Sequence, residues 1–238
     1  MSHVADAVLW FHIVAGAAAL LVGAFSLLLT RKGTAIHIGT GRAFWYSMVA
    51  MAYSGIVVAV LRPKAAFVLI GLLSLYLVHT GRHALRRPRG AVNRDTVFWF
   101  AVAVSCLGAG IGIGSYGLLG ADGHVFGSPS VLYLGAAFDA AIFVVLDWRL
   151  MRIGSATGSR RIVDHVWRMI AALLFATFAL FIANPSVFPQ WFTAAGFNFI
   201  PPLLLLVLLV YWVLAVKRGW WKGARPGSAK NLQHEFTT

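Results

Sequence analysis

Acidic residues and cysteine are both scarce in this chain of 238 residues, which has 7 Asp+Glu, one cysteine and only 11% charged residues. A typical soluble domain carries about 25% charged residues, so a water-soluble fold is excluded. The single Cys106 lies within an apolar run, which excludes a disulfide framework or a cysteine metal site within one chain. Apolar surface dominates instead, since 60% of the residues are hydrophobic.

Two common catalytic signatures are also missing. The sequence has no GxxxxGK phosphate loop and no GxSxG nucleophile elbow. The formal net charge of +13 would suggest a nucleic-acid partner in a soluble protein. Here the basic residues form short clusters between long apolar runs, which indicates membrane topology rather than nucleic-acid binding.

Seven stretches are long and apolar enough to cross about 30 Å of hydrocarbon as helices. They are residues 7–30, 43–61, 65–85, 96–119, 129–150, 163–184 and 201–219. We therefore predict an all-α, polytopic membrane protein. Its seven-helix bundle forms one domain over residues 1–221, followed by a polar tail over 222–238.

The distribution of Lys and Arg predicts the orientation of the bundle. If the chain crosses seven times, 18 of its 20 basic residues fall on one side, and only Arg62 and Lys64 fall on the other. Basic residues prefer cytoplasmic loops, so we predict an outer N-terminus and a cytoplasmic C-terminus. The lipid bilayer is then the main partner, with anionic lipid at the basic cytoplasmic face.

Four histidines and several charged residues fall at the predicted cytoplasmic boundary. They are His37 and Arg42 in the loop after span 1, His79 and His83 on one face of span 3, Asp147 at the end of span 5, and Asp164, His165 and Arg168 at the start of span 6. We predict that these residues converge on a cofactor or metal site.

One interpretation of this set is a b-type haem site. Neutral imidazoles from two helices bind the iron, and arginine side chains pair with the propionates. His79 or His83 together with His165 has the required composition, whereas a second haem towards the outside finds only His12 within a span. The predicted cofactor-binding residues are His37, His79, His83, His165, Arg42 and Arg168.

A divalent metal site is the second interpretation. The predicted ligands are His79, His83, His165 and Asp147, although the glutamate of a HExxH motif is replaced by Thr80. The same residues also have simpler interpretations. His83 can be a solvated interfacial residue, and the carboxylates can form ion pairs, Asp147 with Arg149 and Asp164 with Arg168.

Two further ionisable residues lie within spans. His12 is on the small-residue face of span 1, and Asp139 is near the middle of span 5, so we expect both to point into the bundle. They predict either a proton relay in a proton-coupled small-solute transporter or a hydrogen-bonded pair joining spans 1 and 5. A non-catalytic membrane scaffold is a further alternative.

The first quarter of the chain resembles an uncharacterised group of predicted bacterial multi-pass membrane proteins. The resemblance is carried by His12 with its small-residue stripe and by His37-x3-Gly41-Arg42 before an aromatic-rich span. Similar later features are Asp147-Trp148-Arg149, Asp164-His165-x2-Arg168-Met169 and Asn184-Pro185. The resemblance implies a bacterial cytoplasmic (inner) membrane protein with its site among polar residues at the inner boundary.

Overall fold

The computed structural model describes residues 2–86, 92–120, 122–153 and 158–220. These residues form eight α-helices and one short hairpin. The helices are α1 (Ser2–Leu28), α2 (Ala35–Leu61), α3 (Ala66–Arg86), α4 (Arg94–Gly120), α5 (Ser130–Ile153), α6 (Ser159–Phe181), α7 (Gln190–Ala194) and α8 (Ile200–Lys217), and the strands are β1 (His124–Val125) and β2 (Ser128–Pro129).

Seven of these helices are long and apolar enough to cross a membrane. Only α7, with five residues, is too short. Each predicted span overlaps one of the seven long helices, so the prediction of an all-α, multi-pass membrane protein is confirmed. The predicted polar tail, residues 222–238, lies outside the described residues.

The largest difference from the predicted boundaries is at the start of α2. The segment His37–Arg42 was expected in a loop, but α2 begins at Ala35 and includes it. Thr34 precedes the helix and its side-chain oxygen accepts a hydrogen bond from the His37 N–H at 3.3 Å. This N-cap satisfies a backbone donor of the first turn, so the helix extends beyond the apolar stretch.

Helix α3 lies at the centre of the bundle. It packs against α2, α4, α5 and α6, and α6 also packs against α1 and α8. Half of the most apolar stretch of α3 is buried inside the protein. Core side chains such as Met48, Leu73 and Ala172 are fully buried between these helices. Polar groups on α3 and α6 are consequently well placed to form an enclosed site.

The β-hairpin between α4 and α5 was not expected from the sequence. Its turn needs positive φ at both central positions, 46° at Phe126 and 70° at Gly127. A Cβ at position 127 would lie 2.0 Å from the Pro63 carbonyl oxygen, so only glycine fits there. The Tyr133 hydroxyl donates to the Val125 carbonyl at 2.9 Å and fixes the hairpin to α5.

The bundle therefore has two different ends. We call the end with the hairpin and the α2–α3 connection the hairpin end. There the Arg62 guanidinium contacts the Asp6 carboxylate. We call the opposite end the basic end, because the α1–α2, α3–α4 and α5–α6 connections and the end of α8 meet there. The predicted site residues of α2, α3 and α6 lie towards the basic end.

Candidate functional site

A cavity of about 920 Å³ opens at the basic end between α1, α2, α3, α6 and α8. We call it the basic-end cavity. His37 and Arg42 of α2 line it, and so does His165 of α6. The structure therefore brings three of the predicted site residues together. Its size is within the range of about 300 to 1,000 Å³ that ligand pockets commonly have.

The charged lining of the basic-end cavity has one sign. Its ionised side chains are Lys32, Arg42, Arg82, Arg86 and Arg161. Among the described residues that line the cavity, none is an aspartate or a glutamate. The cationic charge around this space is thus not balanced by a carboxylate within its lining.

Lys32 lies in the short connection between α1 and α2. Its ammonium group donates to the carbonyls of Ser26 at 2.9 Å and Leu27 at 2.6 Å, which belong to the last turn of α1. The same nitrogen is 5.0 Å from the centre of the Trp212 ring on α8. Partial burial lowers the pKa of Lys32 from its ordinary value. This residue joins the end of α1 to α8 across the cavity.

Arg161 and Arg82 meet backbone or aromatic groups rather than carboxylates. Arg161 Nε donates to the Ala84 carbonyl at 3.2 Å, and a second guanidinium nitrogen contacts the Leu85 carbonyl. These contacts satisfy carbonyls at the C-terminal end of α3. The Arg82 guanidinium lies over the Trp45 ring, 4.3 Å from its centre.

His37 is fixed in the cavity wall by two hydroxyl groups. The Thr30 hydroxyl donates to the Ser26 carbonyl at 2.6 Å, so its oxygen accepts from a further donor. His37 Nδ1 lies 3.0 Å from this oxygen and 3.3 Å from the Ser26 hydroxyl oxygen. The second ring nitrogen, Nε2, is then left with an unshared electron pair.

His165 is held in the same way by a backbone carbonyl of α3. Its Nδ1 donates to the Gly81 carbonyl at 2.9 Å. The two helices come this close because residue 81 has no side chain. A Cβ there would lie 3.1 Å from Arg168 Cβ and 3.0 Å from Met169 Sδ. The close α3–α6 contact thus sets both the ring position and the tautomer of His165.

The other two predicted histidines lie outside this cavity. His79 Nδ1 donates to the Leu75 carbonyl at 2.9 Å, and its ring packs between Trp45 and Trp99, with centroid distances of 5.3 and 4.7 Å. His83 Nδ1 is 3.9 Å from the nearer carboxylate oxygen of Asp95. Across the described ranges, no group of three or more His, Cys, Asp or Glu is arranged to hold a metal ion.

Asp147 and Arg168 belong to a separate, closed cluster with Tyr76. The Arg168 guanidinium contacts one Asp147 oxygen, and the Tyr76 hydroxyl donates to the other at 2.7 Å. Arg168 Nη1 donates to the Tyr76 hydroxyl at 2.9 Å. Asp147 and Arg168 are each 1% exposed. We call these three residues the buried triad.

The buried triad corrects the ion pairs expected from the sequence. Arg168 pairs with Asp147 rather than with Asp164. Asp164 accepts instead from Trp167 Nε1 at 3.1 Å. Since both oxygens of Asp147 are taken up by Arg168 and Tyr76, and each predicted histidine ligand has a partner of its own, the predicted metal ligands are spread over different environments.

His12 and Asp139 also have different neighbours. His12 Nδ1 lies 2.8 Å from the Met51 carbonyl and 3.4 Å from the Ser54 hydroxyl, so it joins α1 to α2. Asp139 lines a groove of about 420 Å³ formed by α5, α6 and α8. No hydrogen bond or ion pair links these two described residues, so the predicted relay has no direct contact.

Sequence reasoning used several cavity residues only for topology. Arg82, Arg86 and Arg161 were counted for orientation and not assigned to a site. Their signal was the spacing of four between Arg82 and Arg86, which places two like charges on one helix face. Trp212 was also informative, because it is the tryptophan that the sequence places deep in a span, and the Lys32 ammonium group lies 5.0 Å from its ring centre.

Comparison of the chain with protein-family models, with curated proteins and with solved structures gave no match. The resemblance noted from the sequence motifs therefore stays a prediction. The geometry of the basic-end cavity is therefore the basis for assigning a function.

Proposed function

We propose that this integral membrane protein binds an amphipathic anion in the basic-end cavity. The observation that carries this proposal is a cavity of about 920 Å³ lined by five cationic side chains and no carboxylate. An anionic head group would balance the charge, and an apolar body would contact the hydrophobic walls. The function is thus ligand binding at a membrane boundary.

Repulsion among the cavity arginines supports an anionic ligand. Arg86 lies close enough to Arg82 and to Arg42 to interact electrostatically with each of them. Like charges at a spacing of four on a helix are unfavourable, and Arg82 and Arg86 have this spacing on α3. Arginine also offers several N–H donors in a planar arrangement that matches carboxylate and phosphate oxygens. A bound anion relieves the repulsion and uses these donors.

The apolar walls argue for a ligand with a hydrophobic body. Phe44 of α2, Leu173 of α6 and Trp212 of α8 line the inner part of the same space. Phe44 and Leu173 are each 4% exposed and belong to the main core. A small inorganic anion would fill only a small part of the space between these walls, whereas a lipid-like or ring-shaped anion would fill most of it.

The location that we propose is the cytoplasmic boundary of a bacterial inner membrane. The support is the excess of Lys and Arg at the basic end, which the positive-inside rule assigns to the cytoplasm. Arg31, Arg42, Arg82 and Arg161 illustrate this excess, whereas the hairpin end has only Arg62 and Lys64. Anionic lipid of the inner leaflet is then one natural source of the ligand.

A set of chain-matched amphiphiles tests the proposal. The full chain, purified in neutral detergent, is titrated with oleate, oleyl alcohol and oleylamine, and binding is followed by native mass spectrometry. We expect oleate to bind at least tenfold more tightly than the other two, and we expect added salt to weaken its binding. Equal binding of oleate and oleyl alcohol would contradict the proposal.

Two arginine variants provide a matched control. Arg82→Gln removes a guanidinium that lies 4.3 Å from the Trp45 ring centre, inside the cavity. Arg152→Gln removes one that lies 5.0 Å from the Trp148 ring centre, away from it. We expect only Arg82→Gln to weaken oleate binding. An equal loss in both variants would assign binding to general surface charge.

A further inference from the structure

We propose that the anion bound by the basic-end cavity is an iron porphyrin of the haem b type, with His37 and His165 as its two axial ligands. This inference rests on the proposed function, because the porphyrin is one kind of amphipathic anion. It differs from the sequence-based haem site in its ligands, since α2 replaces α3 as the source of one imidazole.

The first argument is the state of the two imidazole rings. The Gly81 carbonyl can only accept, so the Nδ1 of His165 carries the hydrogen. The Thr30 hydroxyl donates to the Ser26 carbonyl, so its oxygen accepts from the Nδ1 of His37. Both rings therefore present an unprotonated Nε2. This is the form in which histidine binds a metal, and a hydrogen bond from Nδ1 commonly holds the ring in place for it.

The second argument is that the two rings share one space. His37 lies in the first turn of α2, His165 lies in the second turn of α6, and both line the basic-end cavity. They are also close enough for a charge on one to affect the other. Two imidazoles from two helices facing one space is the arrangement of a six-coordinate haem.

A bare divalent metal ion does not fit His37 and His165 as its ligands. A zinc site needs three or four protein ligands, and the described lining of the cavity offers two imidazoles and no carboxylate. Haem supplies four nitrogen ligands of its own. Two protein ligands are therefore enough to complete six-coordinate iron.

A simple lipid anion fits the two imidazoles less well than haem does. A carboxylate or a phosphodiester offers only hydrogen-bond acceptors, so it has no donor for the two Nε2 electron pairs. Haem fits both the two imidazoles and the cationic lining of the cavity. Its iron takes the imidazole nitrogens, its propionates meet Arg82 and Arg86, and its macrocycle packs against Phe44.

The test is a titration of the full chain, purified in neutral detergent, with haemin. We expect one haem per chain, measured by the pyridine haemochrome assay. We also expect a low-spin, six-coordinate spectrum by electron paramagnetic resonance and resonance Raman spectroscopy. His37→Ala and His165→Ala should each convert the iron to a five-coordinate, high-spin form, and added imidazole should restore the low-spin spectrum.

Two further variants keep the test independent of folding. His79→Ala removes a half-buried imidazole outside the cavity and should leave the haem spectrum unchanged. His37→Met replaces nitrogen by a thioether ligand, so the iron should stay six-coordinate with a higher reduction potential. A purely structural role of residue 37 would not change the potential in this way.

The outcomes separate this inference from the proposed function. If oleate binds but haemin does not, or if the histidine variants leave the haem spectrum unchanged, the axial assignment is wrong and anion binding stands. If neither oleate nor haemin binds, both proposals are wrong. A low-spin spectrum lost in both cavity variants and kept in His79→Ala supports the inference.

Discussion

Cationic side chains have different surroundings in the buried triad and in the basic-end cavity. The two regions are close together, since Arg168 of the triad and His165 of the cavity are only three residues apart on α6. In the triad, the charge of Arg168 is matched by the Asp147 carboxylate and the Tyr76 hydroxyl, with 1% of the arginine exposed. In the cavity, the described lining has five cations and no acidic residue.

We therefore expect Arg168 to contribute mainly to the stability of the fold, and the cavity cations to contribute mainly to anion binding. The Arg168–Asp147 pair is buried and shares the Tyr76 hydroxyl as a hydrogen-bond partner, so its removal should affect the stability of the protein. The cavity cations have contacts of their own, such as those of Lys32 and Arg161 with backbone carbonyls, but the described lining of the cavity holds no carboxylate, so their removal should chiefly affect anion affinity. The predictions below test this separation, beginning with the largest expected effect.

Asp147→Ala should lower the free energy of unfolding by about 3 to 5 kcal/mol, because it leaves a buried guanidinium without its counter-charge. Unfolding in mixed micelles with increasing dodecyl sulfate measures this loss. The double variant Asp147→Leu, Arg168→Leu should be more stable than the single one, since no charge is then buried alone. A more damaging double variant would contradict the role of the ion pair.

Gly81→Ala should lower the free energy of unfolding by about 1 to 3 kcal/mol, because the added methyl group overpacks the α3–α6 contact. Residue 81 lies between the two regions. A Cβ there would contact Arg168, and its carbonyl accepts a hydrogen bond from His165. It is therefore the change expected to affect both stability and the haem spectrum. A stable variant with an unchanged spectrum would show that the close contact is unimportant.

Tyr76→Phe should lower the free energy of unfolding by about 1 kcal/mol, because it removes the hydroxyl between Arg168 and Asp147 and keeps the ring. The stacked contact with Phe143, at a centroid distance of 5.3 Å, is retained. Oleate affinity should be unchanged, because the triad lies outside the cavity. A weaker oleate affinity in this variant would contradict the separation, because it would show that the buried triad contributes to binding in the cavity.

Lys32→Met should have the smallest effect on stability, with a loss of about 0.3 to 1 kcal/mol from its contacts at the end of α1. Its main effect should be several-fold weaker oleate binding, since Lys32 is part of the cationic lining. Lys217→Met, at the end of α8, is the matched control and should leave oleate binding unchanged. The same titration by native mass spectrometry measures both variants.

The membrane-spanning architecture could be predicted from the sequence because length and hydropathy alone decide it. Every long apolar stretch became a helix, and only the ends moved. The start of α2 was missed, since the segment from His37 to Arg42 is too polar to count as membrane span. The cue was Thr34 three residues before His37, a helix N-cap that hydropathy does not detect.

The candidate site was predicted only in part, because helix rotation cannot be derived from one sequence. The spacing of His79 and His83 places them on one face of α3, yet that face meets Trp45, Trp99 and Asp95 rather than His165. The pairing of Arg168 with Asp147 likewise depends on the α3–α5–α6 arrangement. Among the predicted histidines of the described chain, only His37 and His165 line the same cavity.

The early start of α2 has a mechanical consequence. His37 is attached to a rod of 27 residues, about 40 Å long, and not to a flexible connection. The opposite part of this rod is held by His12 through the Met51 carbonyl. A change of a few degrees in the tilt of α2 would therefore move the imidazole by about 1 Å or more and change the shape of the basic-end cavity.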